Sequence, residues 1–132
     1  MARIGRMSTN REIIFKELSY KIIECAMEVH KILGPGFPEK IYEEALVFEL
    51  DNRRIPYERQ KPVEVFYKGK KLSEFKLDLV VDGKVIVELK AVCEVIDTYH
   101  AKLLSYLKAT GLRLGILVNF GSKRLEYWRV VN

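Results

Sequence analysis

A mixed α/β (α+β) fold, with a central mixed sheet flanked by helices, is what this sequence predicts. Two segments with helical periodicity come before any strand. Three strand segments follow, the last of them apolar on both faces. A further helix then separates that strand from another buried strand, giving the order α-α-β-β-β-α-β with a candidate extra strand at the C-terminal end.

The first helix is predicted over Arg11 to Leu33, where Ile14, Leu18, Ile22, Ala26, Val29 and Leu33 recur at three- and four-residue steps. Gly34-Pro35-Gly36 ends it. Pro38 suits the first turn of a second helix, whose apolar positions Ile41, Tyr42, Ala45, Leu46 and Phe48 continue until Asn52 and Pro56. Val63 to Tyr67 and Leu72 to Val81 read as strands joined by a Lys68-Gly69-Lys70 turn, and Asp82-Gly83 marks a second hairpin turn. Val85-Ile86-Val87 has no polar face, as a strand covered on both sides requires, and it runs directly into Glu88-Leu89-Lys90. Thr98 to Thr110 is helical, with Ala101, Leu104, Tyr106, Leu107 and Ala109 as its apolar residues and Gly111 at its C-terminus. Leu114 to Val118 is a buried strand, and Leu125 to Val131 is the candidate edge strand.

The chain has 132 residues, 48% of them hydrophobic and 31% charged, so residues 11–132 suit one domain, because two halves would each lack a sufficient core. Met1 to Asn10 is basic, polar and aperiodic, with a second methionine at Met7, and reads as a disordered or tag-like extension. The net charge of +5 permits an anionic partner such as DNA or RNA without requiring one. Cys25 and Cys93 stand apart with no ligand-spaced partner, which suits small, buried, reduced residues in a cytoplasmic protein. No apolar run approaches the ~20 residues that cross a bilayer, so no membrane role is expected.

The chemistry concentrates after the central strand. Glu88 and Lys90 are two apart, so both project from one face, about 7 Å apart along the backbone. Asp78 on the preceding strand adds a second carboxylate. Buried charges call for pairing, hydrogen bonds or a metal ion, and two carboxylates with open water positions suit a hard divalent cation such as Mg²⁺ or, in its place, Mn²⁺. Lys90 would not bind that metal but could hold an attacking water or neutralise charge on a phosphoryl group. A solvated cross-strand ion pair is the alternative reading of Glu88 and Lys90.

Asp78, then Glu88-x-Lys90 on a buried strand, then a helix containing Tyr106, resembles the signature of the PD-(D/E)XK nuclease superfamily. Gly36-Phe37-Pro38-Glu39-Lys40-Ile41-Tyr42 reads G-x-x-E-x-x-Y and is similar to the GxxExxY branch of that superfamily. The resemblance spans Ile13 to Gly121 and includes Val29-His30, Ala109-Thr110-Gly111 and Val118-Asn119-Phe120-Gly121. It implies a restriction-endonuclease-like core with a helix in front, and metal-dependent hydrolysis of nucleic acid at Asp78, Glu88 and Lys90. It also implies that Glu39 approaches the metal as a further ligand, whereas the sequence alone reads Glu39 as a first-turn carboxylate favoured by the helix dipole. His30 gains weight as an auxiliary residue from the same resemblance, while its place among Ala26, Met27 and Leu33 suits a hydrogen-bonded core histidine. His100 gains none. Tyr42 falls among apolar positions and reads as packing. The branch often carries Q-x-x-x-Y on the helix after Glu-x-Lys; here Lys102 replaces the glutamine four residues before Tyr106, as a phosphate contact or a solvated residue.

Two other functions keep the same fold: a catalytically silent nucleic-acid-binding module and a protein-interaction domain. Exposed sheet edges leave self-pairing as a homodimer open. Parity decides whether the site can form. A two-residue loop at Asp82-Gly83 sets Asp78 opposite Val87, on the wrong face, whereas a three-residue loop sets it opposite Ile86 or Glu88. An odd-numbered loop or a bulge, with Gly83 left-handed, is therefore expected.

Overall fold

The computed structural model describes residues 13–132. The expected extension at Met1 to Asn10 lies outside the described residues. The elements run α1 (Lys16–Leu33), α2 (Glu39–Asn52), β1 (Tyr57–Tyr67), β2 (Lys70–Val81), β3 (Val85–Lys90), α3 (Asp97–Thr110), β4 (Leu114–Asn119) and β5 (Glu126–Val131). The sheet order is β1-β2-β3-β4-β5. Strands β3 and β4 are parallel and the remaining neighbours antiparallel, which makes the sheet mixed, as predicted.

The doubly apolar run of β3 has its explanation in this order. Val85, Val87 and Leu89 pack with Leu79, Val81, Ile116 and Val118 against α1 and α2, while Ile86 packs with Val80 and Leu117 against Leu103 and Leu107 of α3. Each fully buried aliphatic side chain of this kind contributes roughly 1.5–3 kcal/mol relative to exposure. β3 is thus an interior strand covered by helices on both sides, and it emerges from the core only at its C-terminal end.

Four boundaries or assignments differ from the sequence reading. Helix α1 begins at Lys16 rather than Arg11, because Phe15 is left-handed at φ 53 and the Ile14 carbonyl is taken by the Arg129 guanidinium instead of a helical amide. β1 begins at Tyr57 rather than Val63: as an edge strand it tolerates Pro62 and an exposed run of Glu58, Arg59 and Gln60, which look unlike a strand in sequence. On α3 the buried residues are Leu103 and Leu107, with Ala101 and Ala109 exposed, so the helix rolls its tyrosines toward the sheet. Cys25 is buried as expected, but Cys93 is exposed, since the chain has left the sheet for the β3–α3 connection. Among the described residues, no helix is long and apolar enough to cross a membrane.

Candidate active site

The β2–β3 hairpin has the parity that a shared carboxylate site needs. Val81 pairs with Val85, so Asp82, Gly83 and Lys84 form a three-residue loop. Asp82 and Gly83 are both left-handed, at φ 55 and 65, and the Lys84 N–H donates to the Val81 carbonyl at 3.0 Å. Val80 pairs with Ile86 and Leu79 with Val87, and one further step along this register brings Asp78 to Glu88.

There the backbone ladder stops and side chains replace it. The Asp78 N–H donates to Glu88 Oε1 at 3.1 Å, and the Leu89 N–H donates to Asp78 Oδ2 at 2.9 Å. Each carboxylate therefore caps an amide on the strand opposite its own. The strands part because β2 changes sides at this point: Leu79 and Val81 pack toward α1 and α2, whereas Leu77 and Phe75 pack toward α3. Strand β1 turns with it at Gln60, which is left-handed at φ 49 and lies between the Arg59–Leu79 and Lys61–Leu77 pairs.

The two carboxylates line different hollows, Asp78 one and Glu88 the other. One is an open cleft of about 490 Å³ lined by Glu39, Glu43, Arg59, Gln60 and Asp78. Gln60 donates to Glu43 at 2.8 Å and Arg59 bonds both Glu43 and Glu44, which fixes the wall formed by α2. The other is a crevice beneath α3, lined by Glu88, Lys90, Tyr99, Lys102 and Tyr106. In it the Lys90 ammonium lies 4.3 Å from the centre of the Tyr99 ring. Tyr106 stacks on Phe75 of β2, with ring centres 4.3 Å apart.

Packing acidic groups into a half-buried site raises their proton affinity. Burial first, and the charge of Asp78 second, push Glu88 up to about 8, against the opposing effects of the Asp78 N–H and Lys90. Asp78 is raised by burial, offset in part by the Leu89 N–H. Glu39 is exposed by area, yet lost hydration and the charge of Asp78 push it up as well, while Lys90 pulls it down. Tyr106 is raised by burial and by Glu88 and Asp78.

A divalent cation fits the donor chemistry of the Asp78–Glu88 pair: both offer carboxylate oxygens, and the upward shift of Glu88 comes from its burial first and from the charge of Asp78 second. Among the described residues, no three His, Cys, Asp or Glu side chains converge tightly enough to hold a metal ion. A cation held by these two carboxylates would keep most of its ligands as water.

Of the other residues singled out in the sequence, Lys102 and Tyr106 join Glu88 and Lys90 in the crevice, and Glu39 joins Asp78 in the cleft. His30 is buried beside Phe120 and bonds the Ser122 carbonyl at 2.9 Å, with no hydrogen bond to the carboxylates. His100 packs edge-on against Trp128. Tyr42 is buried and stacks on Phe120, and its hydroxyl also donates to the Gly34 carbonyl and accepts the Phe37 N–H at 3.1 Å. It thereby holds the loop that delivers Glu39.

Sequence reasoning missed Tyr99, Glu43 and Gln60, and it gave Asn119 only as part of the Val118-Asn119-Phe120-Gly121 resemblance, without a role. Tyr99, Lys102 and Tyr106 stand at i, i+3 and i+7, and Glu39 and Glu43 at i and i+4, so helical spacing could have found Tyr99 and Glu43. No local signal marks Gln60. Asn119 is fully buried and bonds both the N–H and the carbonyl of Val92, tying the segment after Lys90 to the end of β4.

The sequence profile of the PD-(D/E)XK nuclease superfamily matches residues 16–130. The crystal structure of SSO0001 shares the fold, with a TM-score of 0.58 at 17% identity; the match covers 92% of this chain and 59% of that one. The present chain thus spans little more than half the length of that protein. No curated protein matches the sequence.

Proposed function

The chain belongs to the PD-(D/E)XK nuclease superfamily, and on that premise we propose that it hydrolyses phosphodiester bonds in DNA or RNA, with Asp78, Glu88 and Lys90 as its chemical centre. The observation that carries this reading is the reciprocal capping of Asp78 and Glu88 across the parted strands, with Lys90 two residues further along the same face. Within the superfamily, Gly36, Glu39 and Tyr42 favour the GxxExxY branch.

In this reading Asp78 and Glu88 hold Mg²⁺ or Mn²⁺, with Glu39 as an auxiliary carboxylate at the rim of the cleft. When bound, the cation supplies Lewis-acid polarisation of the phosphoryl group and favours deprotonation of the attacking water. Lys90 orients that water and offsets negative charge as it develops on the phosphoryl oxygens. Tyr99 confines the lysine's ammonium against its ring, and Lys102 contacts a flanking phosphate.

A cleavage assay on single- and double-stranded DNA and RNA, with Mg²⁺, Mn²⁺ or EDTA, tests the proposal. Cleavage that requires the metal and is lost in a folded Asp78→Ala variant supports it; equal cleavage by that variant refutes it. The lack of a three-side-chain metal cluster among the described residues favours a second reading, a binding module without turnover. Metal-independent binding with no cleavage under any of these conditions is its signature.

A further inference from the structure

The β1–β2 hairpin is much longer than the sheet needs. β2 pairs with β3 only from Leu79 to Val81, while its pairing with β1 continues out to Tyr67–Lys70. Beyond Asp78 it is therefore a two-stranded ribbon reaching about 25 Å from the carboxylates, at ~3.3 Å per residue. Its base is anchored, since Val63 and Leu77 are buried against α3 and Phe75 stacks on Tyr106. Its tip is not. Phe66, Tyr67 and Leu72 are 57%, 61% and 57% exposed, an unusual outlay of apolar surface for a turn.

Charge distinguishes this tip from an exposed sticky edge. Residues 61–77 carry five lysines and two glutamates, a net +3 of the chain's +5. Lys71 pairs with Glu64 at 3.0 Å, whereas Lys68 and Lys70 make no ion pair among the described residues. The Lys68 ammonium lies 5.4 Å from the Tyr67 ring centre, so cation and aromatic face are presented together. The bulge at Leu72 shifts the register between Val65 and Phe66, and it sets Tyr67 and Lys70 side by side. Lysines along such an edge oppose pairing with a second copy of the strand. Exposed rings interleaved with unpaired ammonium groups instead match an anionic partner with flat faces to stack, which describes unpaired nucleotides.

We propose that the tip of the β1–β2 ribbon, through Tyr67, Phe66, Lys68 and Lys70, is a binding arm for single-stranded nucleic acid, stacking bases and contacting phosphates on the strand that leads to the Asp78–Glu88 site. The inference rests on the nucleic-acid reading above and adds the surface and strandedness of the substrate. The ribbon base, Phe75 on Tyr106, joins this arm to the crevice that holds Lys90.

The test is fluorescence anisotropy with the full chain in EDTA, where cleavage is off, using a labelled oligothymidylate longer than the ~4–16 nucleotides typical of one such site. Lys68→Ala with Lys70→Ala should weaken binding and reduce the salt slope by roughly 1.4, the loss of two single-strand phosphate contacts. Tyr67→Ala should weaken binding by roughly fivefold to a hundredfold with the salt slope unchanged, and Tyr67→Phe should restore it. These side chains lie outside the core, so the variants should keep the wild-type thermal transition. Wild-type affinity in both alanine variants, tighter binding of a matched duplex, or no binding by the wild type overturns the inference. If the wild type cleaves while the tip variants bind and cleave normally, the arm fails and the nuclease reading stands. If the tip variants lose binding but the wild type never cleaves, the reverse holds.

Discussion

Asp78 and Glu88 each cap a backbone N–H on the other's strand, and this arrangement keeps two carboxylates side by side where the β2–β3 ladder ends. It makes stability depend on pH in an unusual direction. Glu88 is pushed up to about 8 in the folded chain, against a normal value of 4.5, so between those values the folded state holds a proton that the unfolded state has lost. Metal-free stability should therefore fall as pH rises from about 4.5 to 8, by up to a few kcal/mol, and level off above that. The raised Asp78 and Glu39 add to the fall. Urea denaturation in EDTA across this range should show it, with a smaller slope in Glu88→Gln and in saturating Mg²⁺. Stability that rises with pH through this window would contradict the assignment.

Among the described residues Lys90 makes no close ion pair, and its ammonium sits 4.3 Å from the centre of Tyr99. Tyr99→Phe keeps the aromatic face and should keep the cleavage rate. Tyr99→Leu removes it and should lower kcat by roughly fivefold with KM little changed, consistent with about 1 kcal/mol for a partly desolvated cation–π contact. Equal rates for the phenylalanine and leucine variants in steady-state kinetics would remove Tyr99 from the mechanism.

Gly121 approaches the chain just beyond Lys90 so closely that an added Cβ would meet the Val92 backbone and lie 2.6 Å from the Ala91 carbonyl carbon. Backbone cannot swing aside as a flexible side chain can. Gly121→Ala should cost about 1–3 kcal/mol and displace Lys90, so activity should drop further than the melting temperature alone explains. A wild-type melting curve would show that the packing there is loose.

Tyr42→Phe should cost about 1–2 kcal/mol, because it strands the Phe37 N–H and the Gly34 carbonyl while leaving the stack on Phe120 intact. The Glu39 loop should loosen first. Hydrogen exchange at Phe37 should quicken more than at Val87 in the sheet interior; uniform protection at both would argue against the clamp.

Local pattern made the element order legible, because each core element carries its own periodicity and punctuation. Val85 to Val87 showed burial on both faces, and the parity of the Asp82-Gly83 hairpin required the odd loop that is present. The start of β1 was not legible: Glu58 to Pro62 is held by pairing with β2, which no local composition records. Asp78 and Glu88 could be found because strand alternation relates them. The Gln60–Glu43 wall could not, since it depends on how α2 meets an edge strand and on a left-handed residue without a glycine to mark it. Tyr99 does not stand out in the sequence because the apolar residues of α3, Ala101, Leu104, Tyr106, Leu107 and Ala109, spread around the helix, and only the structure shows that Leu107 and Leu103 set the face toward the sheet.

The most direct test of Asp78, Glu88 and Lys90 as one site combines Mn²⁺ binding and single-turnover cleavage on the same folded preparations of wild type, Glu88→Gln and Lys90→Ala. Wild type should bind Mn²⁺ and cleave; Glu88→Gln should lose both; Lys90→Ala should keep the metal and lose at least a hundredfold in rate, on the order of 3 kcal/mol of transition-state stabilisation. Mn²⁺ binding and cleavage that survive unchanged in Glu88→Gln would contradict it.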